Sequence, residues 1–489
     1  MKHPSQILFT HSYFLRFDPK QLELGQPYPP LGTLYAAALM RDRGYRVSLF
    51  DTMFTDGPDE VSAVLDYMLP KFFVIYDDGF NYLTKMCLTN MRQAALSMCK
   101  MAKARGCKVI VSSSDATDNY TTYLKEGADF VIIGEAEQTL LELIDHIKAG
   151  EKDHSTIPGL AFIKDHLPYK TIARNVIKDL DTLPIPAWDL IDMDTYRQSW
   201  LNNAGYFSLN MSTTRGCPFK CNWCAKPIYG SRYNSRSPQN VVQELKLLTQ
   251  IYGADHIWFC DDIFGLKPGW VAEFARLVQQ ENLAIRFKIQ SRADLLTDVN
   301  VVAALAASGC ENAWIGAESG SQKILDAMDK GITVAQINDA TLAMKKAGIK
   351  PSFFIQFGYP GEDKADIALT IKMINKLLPY EIGISVSYPL PGTVFYEKVR
   401  AQLQQKTNWT DSDEMALMFS NTFQPLFYKQ LHRYVHRNYH KHLAKNSLFK
   451  LLKDPLHTNA RVIKKALSFL YYIPATYIER FKLSQLEKT

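Results

Sequence analysis

Two long stretches in which short apolar segments alternate with helix-patterned ones constrain this chain more than any other feature. In the first 150 residues the pattern predicts strands at 6–10, 46–50, 72–76, 108–111 and 129–133. Helices fit between them at 31–43, 60–69, 84–105 and 120–126, with one more at 137–148. Helices of that length are crossovers, and crossovers join parallel strands. The expected fold is α/β: a flavodoxin-like (Rossmann-type), doubly wound parallel sheet. Its ligands would meet the loops beyond the C-terminal strand ends, here at 10–12, 51–53, 77–81, 112–117 and 134–137.

The alternation resumes from 209 to 392 with longer repeats. Strands fit at 209–213, 256–260, 286–290, 313–316, 352–357 and 383–387. Helices fit near 238–251, 268–280, 299–307, 322–327, 334–347 and 364–378. Six β/α units predict a partial (β/α)6 TIM-type barrel, with its active groups at the C-terminal ends of the strands. Between the two stretches, Pro158, Pro168, Pro184 and Pro186 interrupt short extended pieces, which reads as a small hairpin and an ordered linker. The expected domains are therefore 1–150, a linker at 151–205, a core at 206–400 and a basic helical region at 401–489.

A hydrophobic fraction of 47% with 22% charged residues excludes a disordered, collagenous or coiled-coil chain. The net charge of +6 is unevenly placed: residues 426–489 hold 13 Lys/Arg against 3 Asp/Glu. That imbalance suits an anionic surface or substrate near the C-terminus. No apolar run reaches the roughly 18 residues of a membrane span, and the N-terminal residues lack signal-peptide features. A cytoplasmic location is expected, with peripheral membrane contact through the C-terminal region as an option.

Three of the eight cysteines, Cys217, Cys221 and Cys224, fall in the segment TTRGCPFKCNWCAKP just after the first barrel strand. Soft thiolates suit iron–sulfur or zinc sites. Structural zinc normally takes four protein ligands, and no fourth Cys or His is nearby. Three thiolates on a four-iron cluster leave one iron open to a chelating small molecule. For Cys87, Cys99, Cys107, Cys260 and Cys310 the default is a small buried hydrophobe.

CPFKCNWC in this setting resembles the signature of the radical S-adenosylmethionine (SAM) superfamily. The resemblance implies that Cys217, Cys221 and Cys224 bind a [4Fe–4S] cluster whose open iron chelates SAM. One electron then cleaves the sulfonium to methionine and a 5′-deoxyadenosyl radical. Trp223 occupies the family's aromatic position facing adenine, or else it packs beneath the loop. In WFCDDIF, Asp261 and Asp262 stand where the family meets the SAM amino group; solvated loop acids are the alternative. Arg292, in QSRADLL, is a carboxylate clamp or a structural ion pair. Glu318 and Ser319, in WIGAESGSQ, suit the ribose hydroxyls or structural hydrogen bonds. FGYPGED at 357–363 and SYPLPGT at 387–393 resemble the family's fifth- and sixth-strand motifs.

The first 400 residues resemble radical SAM enzymes carrying an N-terminal cobalamin-binding domain. The matching pieces are YPPLGTLYAAALMRDRGYRVSLFD, DFVIIGEAEQTLLEL and LDTLPIPAWDLID. That branch includes methyltransferases and the anaerobic magnesium-protoporphyrin ester cyclase. There is no D-x-H-x-x-G motif, hence no histidine offered to cobalt. The fourth-strand loop, often GGPHAT in the family, is SSSDAT here. Ser112, Ser113, Asp115, Thr117, Gly134 and Glu135 are the residues expected to meet cobalamin. The alternative is a domain that keeps only the fold.

His432, His436 and His440 recur every fourth residue in the C-terminal region, with Arg433, Arg437 and Lys441 beside them. Two basic solvated stripes or a metal site both fit that spacing. No nucleic-acid motif accompanies the charge, so no nucleic-acid partner is expected. The expected function is a radical SAM enzyme, foremost a cobalamin-dependent methyltransferase acting on an unactivated carbon of a small-molecule or lipid-like substrate. It would draw electrons from a donor such as flavodoxin or ferredoxin. The competing expectations are an oxidative cyclase and a non-catalytic iron–sulfur protein. No residue is assigned to the substrate's own chemistry.

Overall fold

The computed structural model describes residues 6–80, 88–403, 408–455 and 459–487. The chain forms two compact units. The first comprises Met1–Phe219, Ala225–Gln290 and Asn408–Glu414; the second comprises Lys220–Cys224, Ser291–Thr407 and Met415–Thr489. Cys217 thus belongs to the first unit, and Cys221 and Cys224 to the second.

Five parallel strands open the first unit: β1 (Ile7–Thr10), β2 (Val47–Phe50), β3 (Phe72–Tyr76), β4 (Lys108–Ser112) and β5 (Phe130–Ile132). Inside the sheet, β1, β3, β4 and β5 are mostly buried runs of Val, Ile and Phe because helices cover both faces, whereas the edge strand β2 is only partly buried. Ile7, Phe9, Phe72 and Val74 pack with helices Leu31–Asp42 and Glu137–Lys148 on one side. Leu8, Phe73, Ile75 and Val109 pack with helices Val61–Met68 and Thr89–Ala104 on the other. Of the expected helix at 84–105, residues 84–87 lie outside the described residues, as does Cys87.

The hairpin expected within the linker is part of this sheet. Strands β6 (Leu160–Lys164) and β7 (Leu167–Lys170) extend it antiparallel, giving the order β2-β1-β3-β4-β5-β6-β7. Asp165 and His166 take left-handed backbone conformations in the two-residue turn, which brings β7 back beside β6 and lets the pair cover the open edge of β5.

The second sheet is built from β8 (Ser208–Met211), β11 (His256–Phe259), β12 (Phe287–Ser291), β13 (Cys310–Glu318), β14 (Lys350–Phe357) and β15 (Glu381–Val386). A short antiparallel pair, β9 (Thr214–Arg215) and β10 (Asn234–Ser235), follows β8. The order is β15-β14-β13-β12-β11-β8, with helices following each of the first five strands in chain order, two of them, Gln322–Ala327 and Val334–Lys346, after β13. Strands and helices fall within a few residues of their expected positions. Two long helices, Pro425–Lys453 and Ala460–Leu486, close the chain. They run antiparallel: Gln430 bonds Glu479 at 2.6 Å, while Arg437 lies over the Tyr471 ring and His440 stacks on Tyr472. No described helix is long and apolar enough to cross a membrane.

Candidate functional site

In the first unit, the segment entering the cysteine loop is held from beneath by one carboxylate. Asp261, at the C-terminal end of β11, is 1% exposed. It accepts from the Thr213 N–H (2.7 Å), the Thr213 hydroxyl (2.6 Å) and the Thr214 N–H (2.8 Å). Burial pushes its pKa up to about 6 against the pull of these bonds. Asp261 therefore shapes the loop and has its acceptors in use, which corrects its expected role as a receptor for the SAM amino group. Its exposed neighbour Asp262 keeps that expectation.

Arg215 comes next and is buried. Its guanidinium donates to Glu135 and Glu137 at 2.6 Å each. The rings of Tyr35, Phe80 and Tyr229 lie 5.4, 5.7 and 5.1 Å from it. Burial by itself opposes charge on Arg215, and the two carboxylates overcome it. Glu135 accepts also from the Ile177 N–H at 2.5 Å. It ties the fifth-strand loop to the cysteine loop, so its side chain is not the cobalamin contact expected. The next residue must be glycine: a Cβ on Gly216 would stand 2.3 Å from the Arg232 carbonyl oxygen.

In the strand order 2-1-3-4-5 the topological switch point lies between β1 and β3, where such sheets bind ligands. Asp77 accepts from the Ser12 N–H (2.7 Å) and hydroxyl (2.8 Å) across that point. The SSSDAT loop is the end of β4 followed by a short helix. Ser112 ends the strand and accepts from the Asp77 N–H through its carbonyl. Ser113 caps the helix by accepting from Ala116 N at 2.8 Å. Asp115 receives both Arg92 nitrogens (2.7 and 2.5 Å), Tyr123 Oη (2.7 Å) and Asn119 Nδ2 (2.9 Å). Its carboxylate is saturated by the chain itself, so Asp115 is not the cobalamin contact expected. Thr117 accepts from the Gly134 N–H at 3.3 Å, and Gly134 has φ +80 with only carbonyl oxygens near a Cβ. Those two are partly exposed at the loop edge.

In the second unit, Asn222 pins the cysteine loop. Its amide donates to the Ala327 carbonyl and Asp329 at 2.8 Å each, and its oxygen accepts from Tyr359 Oη at 2.8 Å. Its backbone N–H reaches the Met328 carbonyl and its carbonyl accepts from the Phe395 N–H. Beside it, the indole Nε1 of Trp223 is buried with no partner among the described residues. The Lys330 ammonium lies 5.8 Å from the Trp223 ring centroid and 2.7 Å from Glu318. Burial works against charge on Lys330, while Glu318 and the nearby Cys221 favour it, and the net shift is upward. Glu318 sits at φ +55, an uncommon conformation for a residue with a side chain. Gly316 makes room for the pair: a Cβ there would meet Glu318 Oε1 and Lys330 Nζ at 2.5 Å.

The other two expected SAM residues of this unit are engaged. Arg292 donates to Asp294 at 2.9 Å and to the Lys330 and Gly331 carbonyls, which favours the ion pair over the carboxylate clamp. Ser319 is fully buried, with its hydroxyl 3.0 Å from Thr370 Oγ1 and accepting from Ser321 N. Structural hydrogen bonding is its observed role. Sequence reasoning missed Arg215, Asn222 and Lys330. Asn222 follows Cys221 directly and Arg215 stands two residues before Cys217, and they carried that much signal; Lys330 carried none.

The thiols divide by environment. Cys217, Cys221 and Cys224 are partly exposed, whereas Cys99, Cys107, Cys260 and Cys310 are buried. Among the described residues no three His, Cys, Asp or Glu side chains gather as for a single metal ion. Chemically, three accessible thiols are soft donors that suit a cluster bringing its own bridging sulfides, and in the second unit Cys221 lies near the buried Lys330 ammonium. The orphaned Trp223 N–H and the Lys330–Glu318 pair suit a polar, zwitterionic ligand next to it. In the C-terminal helices, the rings of His432, His436 and His440 are 4.4 and 6.4 Å apart in succession. His440 is half-buried against Tyr472, so that stripe is not simply solvated.

The sequence profile of the Radical SAM superfamily matches residues 211–374. An uncharacterized methyltransferase of Pyrococcus horikoshii is 30% identical over 392 residues, 79% of this chain and 82% of the relative. The chain belongs to the radical SAM superfamily. Two further relatives are the anaerobic magnesium-protoporphyrin IX monomethyl ester cyclase of Rubrivivax gelatinosus and the hopanoid C-3 methylase of Methylococcus capsulatus. Both are 23% identical; they cover 81% and 90% of this radical SAM chain, and 70% and 80% of their own lengths. Among solved structures, the methyltransferase TsrM from Kitasatospora setae, with cobalamin and a [4Fe–4S] cluster bound, has a TM-score of 0.67 at 17% identity, over 81% of this chain and 78% of its own. The cobalamin-dependent SAM radical enzyme OxsB, with aqua-cobalamin bound, has 0.73 at 14%, over 98% and 72%. At those identities the likeness is one of fold, and it includes both halves of this radical SAM chain.

Proposed function

We propose that this radical SAM enzyme is a cobalamin-dependent methyltransferase acting on an unactivated carbon of a small-molecule or lipid-like substrate. The observation that carries the reading is the buried Lys330–Glu318–Trp223 group of the second unit beside the accessible thiol Cys221. A cluster on Cys217, Cys221 and Cys224 supplies, when bound, the electron that cleaves SAM, and cobalamin supplies a methyl carrier. Lys330 and Glu318 hold SAM by charge and hydrogen bond, and Trp223 offers its indole face and N–H. Asp261 and Asn222 fix the loop that carries the thiols, so that cluster and SAM meet in one orientation. Cobalamin belongs at the strand ends of the first sheet, met by the backbone edge at Ser112, Ser113, Thr117 and Gly134. A small electron carrier such as flavodoxin or ferredoxin is the expected reductant.

Protein reconstituted without oxygen and supplied with cobalamin tests the reading. Near-stoichiometric corrinoid, S-adenosylhomocysteine formation and a product heavier by one CH2 are expected. Substrate turnover without S-adenosylhomocysteine contradicts methyl transfer and favours cyclisation, the reaction of the Rubrivivax relative.

A further inference from the structure

The second of the two C-terminal helices leaves an apolar stripe uncovered. Helix Ala460–Leu486 buries Ala466, Thr476 and Leu483 on one side. On the other, Leu467, Leu470, Tyr471, Tyr477, Ile478 and Phe481 are between 49% and 74% exposed. Their steps of three and four residues align them along one face. Phe449 and Leu452 of the partner helix, 58% and 69% exposed, add to the apolar surface of the hairpin. Exposed apolar residues scattered singly are ordinary, but a contiguous stripe marks an interaction surface.

We infer that this face docks on an anionic phospholipid bilayer, lying in the plane of the headgroups. The choice of occupant follows from charge. Lys464 and Lys482 project at the edge of the stripe by helical position, and the hairpin region holds 13 Lys/Arg against 3 Asp/Glu. A helix with basic residues along the border of an apolar face rests in the lipid interface. Lysine stems lie along the apolar boundary while their ammonium groups reach the phosphates, and tyrosine rings suit the same depth. Pairing with a second copy of the chain is opposed, since each copy brings the same surplus of positive charge. The hairpin lies on the bilayer instead of crossing it, because neither helix is apolar enough to span. The inference goes beyond the reaction proposed above and does not depend on which cofactors bind.

The test is co-sedimentation of the full chain with phosphatidylcholine vesicles, with and without phosphatidylglycerol, at low and high salt. The expected result is binding to the phosphatidylglycerol vesicles that weakens as salt rises. The double variant Leu470→Glu/Tyr477→Glu should lose at least about tenfold in partitioning. Lys464→Glu/Lys482→Glu should lose the preference for phosphatidylglycerol. Iron content and far-UV circular dichroism should match the wild type in both. A wild-type chain that ignores the anionic vesicles overturns the inference, as does a Leu470→Glu/Tyr477→Glu protein that binds unchanged. Gel filtration showing a dimer that this variant dissociates, with no vesicle binding, overturns it in favour of a second copy.

Discussion

Lys330 places its ammonium 2.7 Å from the Glu318 carboxylate, and both are almost wholly buried, Glu318 at the C-terminal end of β13 and Lys330 in the loop after helix Gln322–Ala327. A lone buried lysine would shed its proton; the carboxylate, together with nearby Cys221, keeps this one charged. Space for the pair exists because residue 316 has no side chain, and the carboxylate is aimed by a left-handed backbone at Glu318. Such strain persists where the surrounding structure over-determines it, and it concentrates at ligand sites.

Replacing Lys330 with Met should therefore weaken SAM binding to the anaerobically reconstituted protein by about tenfold or more. A hydrogen bond to a charged group is worth about 1.5–3 kcal/mol. Lys330→Arg should restore only part of the affinity, because a planar fork does not replace a point charge in a closed pocket. Titration calorimetry with SAM measures this, and equal affinities for wild type and Lys330→Met would remove Lys330 from the site.

The Arg215 contacts are of a different kind. Arg215→Met leaves Glu135 and Glu137 buried without their cation, a loss of about 3–5 kcal/mol. The expected outcome is a clearly lower melting temperature, together with less iron retained on reconstitution. Melting at the wild-type temperature would mean that the two carboxylates find other donors or take up protons at no cost.

Both the fold and the thiol triad were legible in the sequence for plain reasons. Strands β1, β3 and β4 are each built on a run of at least three consecutive apolar residues, and the helices between them are long enough for only one kind of connection. Three soft ligands within eight residues admit few chemistries. Individual acids were less legible. Asp115, Asp261 and Glu135 sit in motifs where a ligand was expected, yet each is saturated by partners distant in sequence or hidden in backbone geometry. Arg92 lies 23 residues from Asp115 and Arg215 lies 80 from Glu135. No local pattern announces such pairings, and the hairpin at β6 and β7 joined the first sheet for the same reason.

Asn222→Ala removes the side-chain bonds to Ala327, Asp329 and Tyr359 at once. Iron incorporation should fall while the secondary structure is kept, because the cysteine loop loses its anchor and the core does not. Iron and sulfide assays beside circular dichroism check this. Full incorporation would mean that the backbone contacts of residue 222 suffice.

Glu362 gives a pH prediction. Burial pushes its carboxyl from an ordinary 4.5 up to about 8, and the hydrogen bond from the Gly358 N–H offsets only part of that rise. The folded protein thus holds this proton more tightly than the unfolded chain. Its contribution to stability is complete below about 4.5, declines as pH rises and is gone above about 8. Glu362→Gln, which keeps an oxygen for Gly358, should flatten the fall of melting temperature with pH across that window. An identical slope in the variant would assign the dependence elsewhere.

Cleavage of SAM at a cluster on the three accessible thiols is tested most directly by 5′-deoxyadenosine formation. Protein reconstituted with iron and sulfide, given SAM and a strong one-electron reductant, should release 5′-deoxyadenosine and methionine. Cys217→Ala, prepared in parallel, should release none. Absence of 5′-deoxyadenosine from a wild-type protein with a full iron complement, or equal release by Cys217→Ala, would contradict the account.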